Sequence, residues 1–418
     1  MKRRTLLGGA IAAAVLGTAA GFAPTASAED GPIKIGMSMA QTGGLAAAGK
    51  SSLLGIQIWR DDINARGGLL GRKVELVVYD DKSSAAETPA IYAKLLDVDK
   101  VDILFAPYAT VPTAPLLPLV KQRGLLLMGN FSFQVNSKVH HDMWFNNAPW
   151  GPPDSQASEY LELGKAAGGK TMALLTADQE FAQNLAGTAR DVAKRLGLNI
   201  VYDQSYPPTT TEFSAIVRAL QAAKPDIVYV ASYPPDTAGI LRAVNEIGIG
   251  DNVKIFGGGM VGLQNAAVME GMGSLLNGIV NYNTWLPEQS MYFDGTKAYF
   301  ETYAKRAVEA KVDPLGFYIS PYGYAMGQLL EQAANATKSL DQKAIAKYLH
   351  EHEFKTIVGP IAFDADGEWK VGSTLMAQFH NVAVKNIDQF RQPGKQVILA
   401  PARLKSGDLV TPFEAARK

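Results

Sequence analysis

The sequence contains no cysteine, which excludes disulfide bonds, thiolate metal sites and a cysteine nucleophile. It has no excess charge of either sign, because 40 Lys and Arg residues balance 40 Asp and Glu residues. A nucleic-acid-binding protein would show a basic excess, so we expect no nucleic-acid partner. With 40 glycines and 22 prolines in 418 residues, the chain is also not of low complexity. This length and a hydrophobic content of 47% suffice for two domain cores.

The first 28 residues have the layout of a cleaved signal peptide. Lys2, Arg3 and Arg4 form a positive start, residues 6–22 are apolar, and Ala26-Ser27-Ala28 is a small-residue cleavage site. The alternative is an uncleaved membrane anchor, which the well-placed cleavage site disfavours. The arginine pair also allows twin-arginine export, but we prefer the general secretory route, because leucines follow basic residues in any signal peptide. We therefore predict an exported protein and, without a cysteine, no lipid anchor.

Beyond the signal peptide, continuous apolar runs alternate with helical stretches in two successive series. Such runs are typical of strands buried on both faces of a parallel sheet. The first series predicts strands at 33–37, 74–78, 101–105 and 125–128. The second series predicts strands at 172–175, 200–202, 227–230 and 255–256, with helices at 183–196, 213–223 and 238–247. The alternation predicts an α/β protein with two doubly wound parallel-sheet lobes.

The segments between and after these series suggest how the lobes are connected. Residues 144–153 hold three prolines without periodicity and read as a crossover. Residues 287–349 read as mostly helical, and the last sixty residues as short strands. We predict that residues 29–147 plus 283–353 form lobe 1, and that residues 148–282 plus 354–418 form lobe 2.

An ordered series of short motifs resembles a known family. The series comprises Ile63–Val74 (INARGGLLGRKV), the following VVYDD, Phe213-Ser214, KPDIVY from Lys224, Gly359-Pro360 and Phe363-Asp364. Together these resemble the periplasmic binding proteins of branched-chain amino acid ABC transporters, from about residue 33 to about residue 367. The resemblance implies a type I periplasmic-binding fold, in which two lobes joined by three crossings close on a small-molecule ligand. We further expect a monomer in the periplasm that delivers its ligand to ABC transporter permease subunits, with no cofactor and no metal.

Ligands of open parallel sheets bind beyond the carboxyl ends of the strands, which directs attention to the residues after each predicted strand. Tyr108 and Thr110 follow the third strand, and Phe131 and Phe133 follow the fourth. The resemblance places Thr110 where the family has a hydroxyl residue that binds the ligand carboxylate. The alternative is that Thr110 only caps the following helix.

The remaining candidates suggest what kind of solute is bound. If the segment is extended, Phe131 and Phe133 point the same way, and their rings offer flat surfaces to which Trp150 can add. Tyr233 falls at the cleft aromatic of the family. At Gly259 the resemblance expects a carboxylate that pairs with an α-ammonium, and the sequence has none there. We therefore predict an aromatic or hydrophobic carboxylate as ligand, unless Asp236 or Asp154 supplies the charge.

Motifs for other chemistry are weak. Residues 257–262 match G-x-G-x-x-G, but the acidic residue that a dinucleotide site requires about twenty positions later is missing. His350-Glu351-His352 lacks the spacing that places two histidines on one helix face, and His140-His141-Asp142 reads as a solvated turn. A transport receptor is therefore the preferred function, before a ligand-sensing module of a membrane receptor and an exported enzyme.

Overall fold

The structure, a computed structural model, describes Met1, residues 31–384 and residues 386–417. The predicted signal peptide lies outside the described residues apart from Met1. The chain divides into two units, Met1–Gly31 and Pro32–Lys418, and all elements named below belong to the second. None of the helices in the described part combines the length and the apolar character needed to cross a membrane.

The first sheet has five parallel strands in the order β2-β1-β3-β4-β5. These strands are β1 Ile33–Met39, β2 Val74–Asp80, β3 Ile103–Tyr108, β4 Leu127–Asn130 and β5 Trp144–Asn147. The helices of this segment are α1 Ala46–Ala65, α2 Thr88–Asp97, α3 Thr110–Thr113 and α4 Leu117–Gln122. The central strands are buried on both faces, as their continuous apolar runs predicted. Strand β5 lies within the segment that was predicted to be an irregular crossover, which therefore begins only after Asn147.

The second sheet has seven strands in the order β14-β13-β10-β9-β8-β6-β7. Its strands are β6 Thr171–Ala177, β7 Asn199–Tyr206, β8 Ile227–Ser232, β9 Ile255–Met260, β10 Val280–Asn283, β13 Leu375–Phe379 and β14 Gln396–Ala400, while β11 Phe354–Thr356 and β12 Gly359–Ile361 form a separate hairpin. Strands β6 to β10 are parallel, whereas β13 and β14 pair antiparallel at one edge. The predicted α/β architecture with parallel sheets is confirmed, with this antiparallel edge as an addition.

Nine helices follow β5 in the described chain. They are α5 Ser155–Ala166, α6 Glu180–Leu196, α7 Ser214–Ala223, α8 Pro234–Ile247, α9 Ala266–Met272, α10 Thr296–Ala310, α11 Ser320–Thr337, α12 Gln342–Glu351 and α13 Phe413–Ala416. Helix α11 packs closely on α1, the helix that connects β1 and β2 and contains Gly55. A Cβ on Gly55 would lie 2.0 Å from the carbonyl oxygen of Ser320, so glycine is required for this close approach. The chain therefore crosses between the two sheet layers after β5, after β10 and before β13.

The end of β9 differs from the prediction. The strand was predicted to stop at residue 256, but it continues through three glycines to Met260. Gly257 has a φ of 134°, and a Cβ there would lie 2.1 Å from the carbonyl oxygen of Val280 in β10. The glycine run therefore permits close strand packing, which explains the G-x-G-x-x-G match without a phosphate loop.

Candidate ligand-binding cleft

A small cavity lies where the carboxyl ends of strands from both sheets meet. It is lined by Leu45, Tyr108, Ala109, Thr110, Phe131, Trp150, Phe181, Tyr233, Val261 and Tyr318. Its volume is about 20 Å³, which is room for about one water molecule. No charged side chain is among these ten residues. Five of the seven residues predicted for the site therefore line one cavity, to which both sheets contribute.

The Thr110 hydroxyl is held in place by the loop after β4. Thr110 is the first residue of α3 rather than its N-cap, which is Ala109 with a φ of 81°. The Oγ1 atom of Thr110 accepts a hydrogen bond from the backbone N–H of Phe133 at 2.9 Å. A hydroxyl also carries one hydrogen to donate, and no acceptor for it is found among the described residues. This hydroxyl at the cavity wall can therefore donate to a ligand oxygen.

Phe131 and Phe133 do not share one orientation, because the chain is not extended there. Phe131 has a φ of 58°, in the left-handed region, and this turns its ring into the cavity. Its ring lies 5.4 Å from that of Trp150 and 5.4 Å from that of Tyr318, both edge-on. Phe133 instead packs behind the cavity wall, with ring centroids 6.0 Å from Trp150 and 5.9 Å from Phe181. One ring forms the cavity wall, and the other supports it.

Trp150 lies in the first crossing, and Tyr233 lies in the second sheet beyond it. The Trp150 indole Nε1 donates to the backbone oxygen of Ser132 at 2.9 Å, which ties the crossing to the loop after β4. Tyr233 is the N-cap residue of α8, directly after β8, and its ring lies 6.2 Å from that of Phe181. The post-strand positions in the two sheets thus meet across the cavity.

Gly259 does not line the cavity. It lies inside β9, where a Cβ would be 3.0 Å from Cδ1 of Leu185 and 3.1 Å from the carbonyl oxygen of Val230. Because β9 is longer than predicted, the residue that follows the strand and reaches the cavity is Val261. The residue after β9 that lines the cavity is therefore apolar in this chain.

The sequence reasoning missed five lining residues. These are Leu45, Ala109, Phe181, Val261 and Tyr318. Phe181 lies in the first turn of α6, shortly after β6, so the rule of searching after each strand was sufficient to find it. Tyr318 precedes α11 and follows no strand, so the sequence offered no comparable signal.

A second, larger cavity adjoins the first and shares Leu45 and Tyr233 with it. Its volume is about 190 Å³, and its other lining residues are Gly44, Ser83, Val111, Gln179, Pro208, Pro234, Pro235 and Asp236. The Asp236 carboxylate accepts hydrogen bonds from the Tyr206 hydroxyl at 3.1 Å and from its own helix cap, the Tyr233 N–H, at 3.4 Å. Burial raises the pKa of Asp236. Of the two acids considered from sequence, Asp236 lines this cavity, whereas Asp154 pairs with Arg195 at 2.6 Å elsewhere.

Three tyrosine hydroxyls meet beside the aromatic wall. The Tyr108 hydroxyl donates to that of Tyr318 at 3.4 Å, and the hydroxyls of Tyr318 and Tyr282 are 3.0 Å apart. Tyr108 ends β3, Tyr282 lies in β10, and Tyr318 comes from the connection before α11. We call Tyr108, Tyr282 and Tyr318 the tyrosine cluster. Desolvation by burial raises the pKa of each well above the ordinary tyrosine value, so all three are neutral hydroxyls.

The histidine motifs have structural partners. The Nε2 atom of His141 lies 2.8 Å from the carbonyl oxygen of Leu125, and burial lowers the pKa of this histidine. His350 contacts the carbonyl oxygens of Asp142 and Asp364. In the part of the chain that the structure describes, no group of three or more His, Cys, Asp or Glu side chains is arranged to hold a metal ion.

The two sheets, their crossings and the cavity between them define a solute-binding protein of the two-lobed type. A profile of the periplasmic binding protein family matches residues 32–380, so the chain belongs to this family. The Leu/Ile/Val-binding protein of Escherichia coli (strain K12) is 26% identical over 374 residues, which cover 88% of this chain and 94% of that protein. The predicted resemblance to the branched-chain amino acid type is thereby confirmed.

Solved structures show the same fold at lower sequence identity. The branched-chain amino acid transporter substrate binding protein LivJ from Streptococcus pneumoniae, in complex with isoleucine, has a TM-score of 0.72 at 22% identity and covers 85% of this chain and 98% of its own. An ABC transporter solute binding protein from R. palustris, in complex with benzoate, has a TM-score of 0.71 at 16% identity and covers 93% of this chain and 99% of its own.

Proposed function

We propose that this protein captures a small carboxylate with an aromatic or hydrophobic body and delivers it to the permease subunits of an ABC importer. The observation that carries the proposal is the lining of the small cavity of about 20 Å³, which we call the inner cavity: rings on several sides, the Thr110 hydroxyl, and no carboxylate. An α-ammonium desolvated there without a partner would cost several kcal/mol, or orders of magnitude in affinity. An aromatic acid avoids this cost and gains about 0.5–1.5 kcal/mol per aromatic contact beyond burial.

Capture requires opening of the cleft. A cavity of about 20 Å³ is far smaller than an aromatic acid, so the ligand enters only when the two sides separate. We propose that residues 29–147 plus 283–353 move as lobe 1 against residues 148–282 plus 354–418 as lobe 2. The three crossings then act as the hinge, and closure brings Thr110 and Phe131 towards Tyr233. We further propose that the protein works as a monomer in the periplasm after removal of its signal peptide, without a cofactor and without catalysis.

A zwitterionic amino acid is the second candidate ligand. It is favoured by the Asp236 carboxylate, which lines the adjoining cavity that shares Leu45 and Tyr233 with the inner one. The name of the Escherichia coli relative specifies leucine, isoleucine and valine. In this arrangement the ammonium would lie near Asp236, and the side chain would lie among the rings.

Parallel calorimetric titrations distinguish the two ligands. Benzoate, 3-phenylpropanoate and leucine are titrated into the mature protein under the same conditions. We expect tighter binding of the aromatic acids than of leucine. Leucine binding in the absence of any response to the aromatic acids would overturn the proposal. In that case Asp236→Asn should abolish leucine binding, with Asp154→Asn as the control, because Asp154 pairs with Arg195 outside both cavities.

A further inference from the structure

The tyrosine cluster has one more hydrogen than its internal bonds use. Each hydroxyl carries one hydrogen, so three hydroxyls carry three. Two hydrogen bonds join them, Tyr108 to Tyr318 and Tyr318 to Tyr282. If Tyr282 donates the second bond, the hydroxyl hydrogen of Tyr318 has no acceptor within the described residues, and if Tyr318 donates it, the hydrogen of Tyr282 has none. The first arrangement offers the unused hydrogen to a ligand, because Tyr318 lines the inner cavity. The cluster also has several oxygen lone pairs that accept nothing.

The cluster is accessible to a ligand in the inner cavity. The side chains of Tyr108 and Tyr318 both line this cavity. Tyr108 lies edge-on to Tyr318 with ring centroids 6.4 Å apart, and Phe131 packs edge-on against the same Tyr318 ring. A ligand ring against Phe131 would therefore have its edge near the tyrosine hydroxyls. The Thr110 hydroxyl is a separate donor with its own unused hydrogen.

These two donors differ in what they can bind. One spare hydrogen beside several lone pairs complements a group that both donates and accepts, which is the property of a neutral hydroxyl. A carboxylate only accepts, so at the cluster it would use the single hydrogen and face the remaining lone pairs. It is better served at Thr110, whose oxygen already accepts the Phe133 N–H.

We propose that the tyrosine cluster determines specificity by exchanging hydrogen bonds with a neutral hydroxyl on the ligand, so that the preferred solute is a hydroxylated aromatic carboxylate. This inference rests on the proposed function, because it assumes an aromatic acid in the inner cavity. It adds a substrate subclass and assigns the selection to Tyr108 and Tyr318. A buried polar group that loses its ligand partner carries a desolvation penalty, which disfavours the unsubstituted acid.

The test compares ligands and variants in one set of titrations. Benzoate, 3-hydroxybenzoate and 4-hydroxybenzoate are titrated into the wild type and Tyr108→Phe. In the wild type we expect at least one hydroxybenzoate to bind about 3- to 10-fold more tightly than benzoate, the range for one neutral hydrogen bond. In Tyr108→Phe this ratio should fall to about one. Tyr318→Phe, which removes the central hydroxyl, should have the same effect.

Tyr160→Phe is the matched control. It removes a buried tyrosine hydroxyl that donates to the carbonyl oxygen of Val228 at 2.7 Å, outside both cavities. It should lower the melting temperature and leave the ligand ratio unchanged, so a stability effect is separable from a specificity effect.

The outcomes separate this inference from the proposed function. If benzoate and the hydroxybenzoates bind equally to the wild type, the inference is wrong and the proposed function stands. If Tyr108→Phe weakens benzoate and the hydroxybenzoates equally, the cluster binds the carboxylate and the inference is wrong. If none of the three acids binds and leucine does, the proposed function has failed and the inference fails with it.

Discussion

The side-chain amide of Asn146 donates a hydrogen bond to Oε2 of Glu368 at 2.7 Å, although the two residues are 222 positions apart. The same amide donates to the carbonyl oxygen of Ser132 at 2.5 Å, and Ser132 in turn accepts from the Trp150 indole. Glu368 lies in the last crossing, before β13, whereas Ser132 lies between the two phenylalanines of the cleft loop. The last crossing is therefore connected to the aromatic wall through Asn146.

The buried carboxyl group of Glu368 predicts a pH-dependent stability. Desolvation is the main reason that its pKa rises from the ordinary 4.5 to about 8. Between these values the folded protein retains a proton that the unfolded chain has released. The free energy of unfolding should therefore fall as the pH rises from about 5 to about 8, by at most about 1.4 kcal/mol per pH unit from this group.

Urea unfolding at several pH values between 5 and 8 checks this expectation. Glu368→Gln removes this titrating group. The free energy of unfolding of the wild type should therefore fall relative to that of the variant as the pH rises. Glu309→Gln, at an exposed position of α10, should follow the wild-type profile. Parallel profiles for the wild type and Glu368→Gln would show that the carboxyl group titrates near its ordinary pKa.

Thr110→Val tests the carboxylate site. The substitution keeps the size of the side chain and deletes the hydroxyl that lines the cavity. Affinity for the ligand identified by titration should fall by about 1.5–3 kcal/mol, the range for a hydrogen bond to a charged group. The matched control is Thr88→Val, which loses a buried hydroxyl bond to the carbonyl oxygen of Pro112 at 2.8 Å and should retain affinity. Wild-type affinity in folded Thr110→Val would leave this hydroxyl only the role of holding the Phe133 N–H.

Hinge closure predicts a change of shape on binding. The two sheets contribute residues to one cavity, so a ligand bound to both sides favours the closed form. Small-angle scattering should give a smaller radius of gyration at ligand saturation than without ligand. An unchanged radius at saturation would argue for a cleft that stays closed in both states.

Two glycines should respond to alanine in opposite directions. In Gly257→Ala the new Cβ would lie 2.1 Å from the Val280 carbonyl oxygen at a φ of 134°, so we expect a loss of about 2–4 kcal/mol of stability. Gly187 lies within α6, and a Cβ there meets no atom within 4 Å. Gly187→Ala should gain up to about 1 kcal/mol from helix propensity. Chemical denaturation measures both, and equal effects would contradict the strand packing of β9.

The sequence by itself determined the α/β class and the positions of most strands. Continuous apolar runs are a local property, because a strand covered on both faces needs apolar residues at every position. The rule that ligands bind beyond strand ends then led to Tyr108, Thr110, Phe131 and Tyr233, which the structure brings to one cavity. These predictions needed no knowledge of distant contacts.

Only the tertiary structure decided the remainder of the cleft. Tyr318 lines the cavity because α11 packs on α1. Gly259 does not line it, because the three glycines let β9 continue beside β10 as far as Met260. The hydrogen bond that Tyr108 donates to Tyr318 and the bond between Tyr318 and Tyr282 join residues 210 and 36 positions apart. Periodicity reports which face of an element is buried, but it carries no information about which distant segment buries it. Cavity shape and the hydrogen-bond partners of buried polar groups therefore emerge only when the chain is packed.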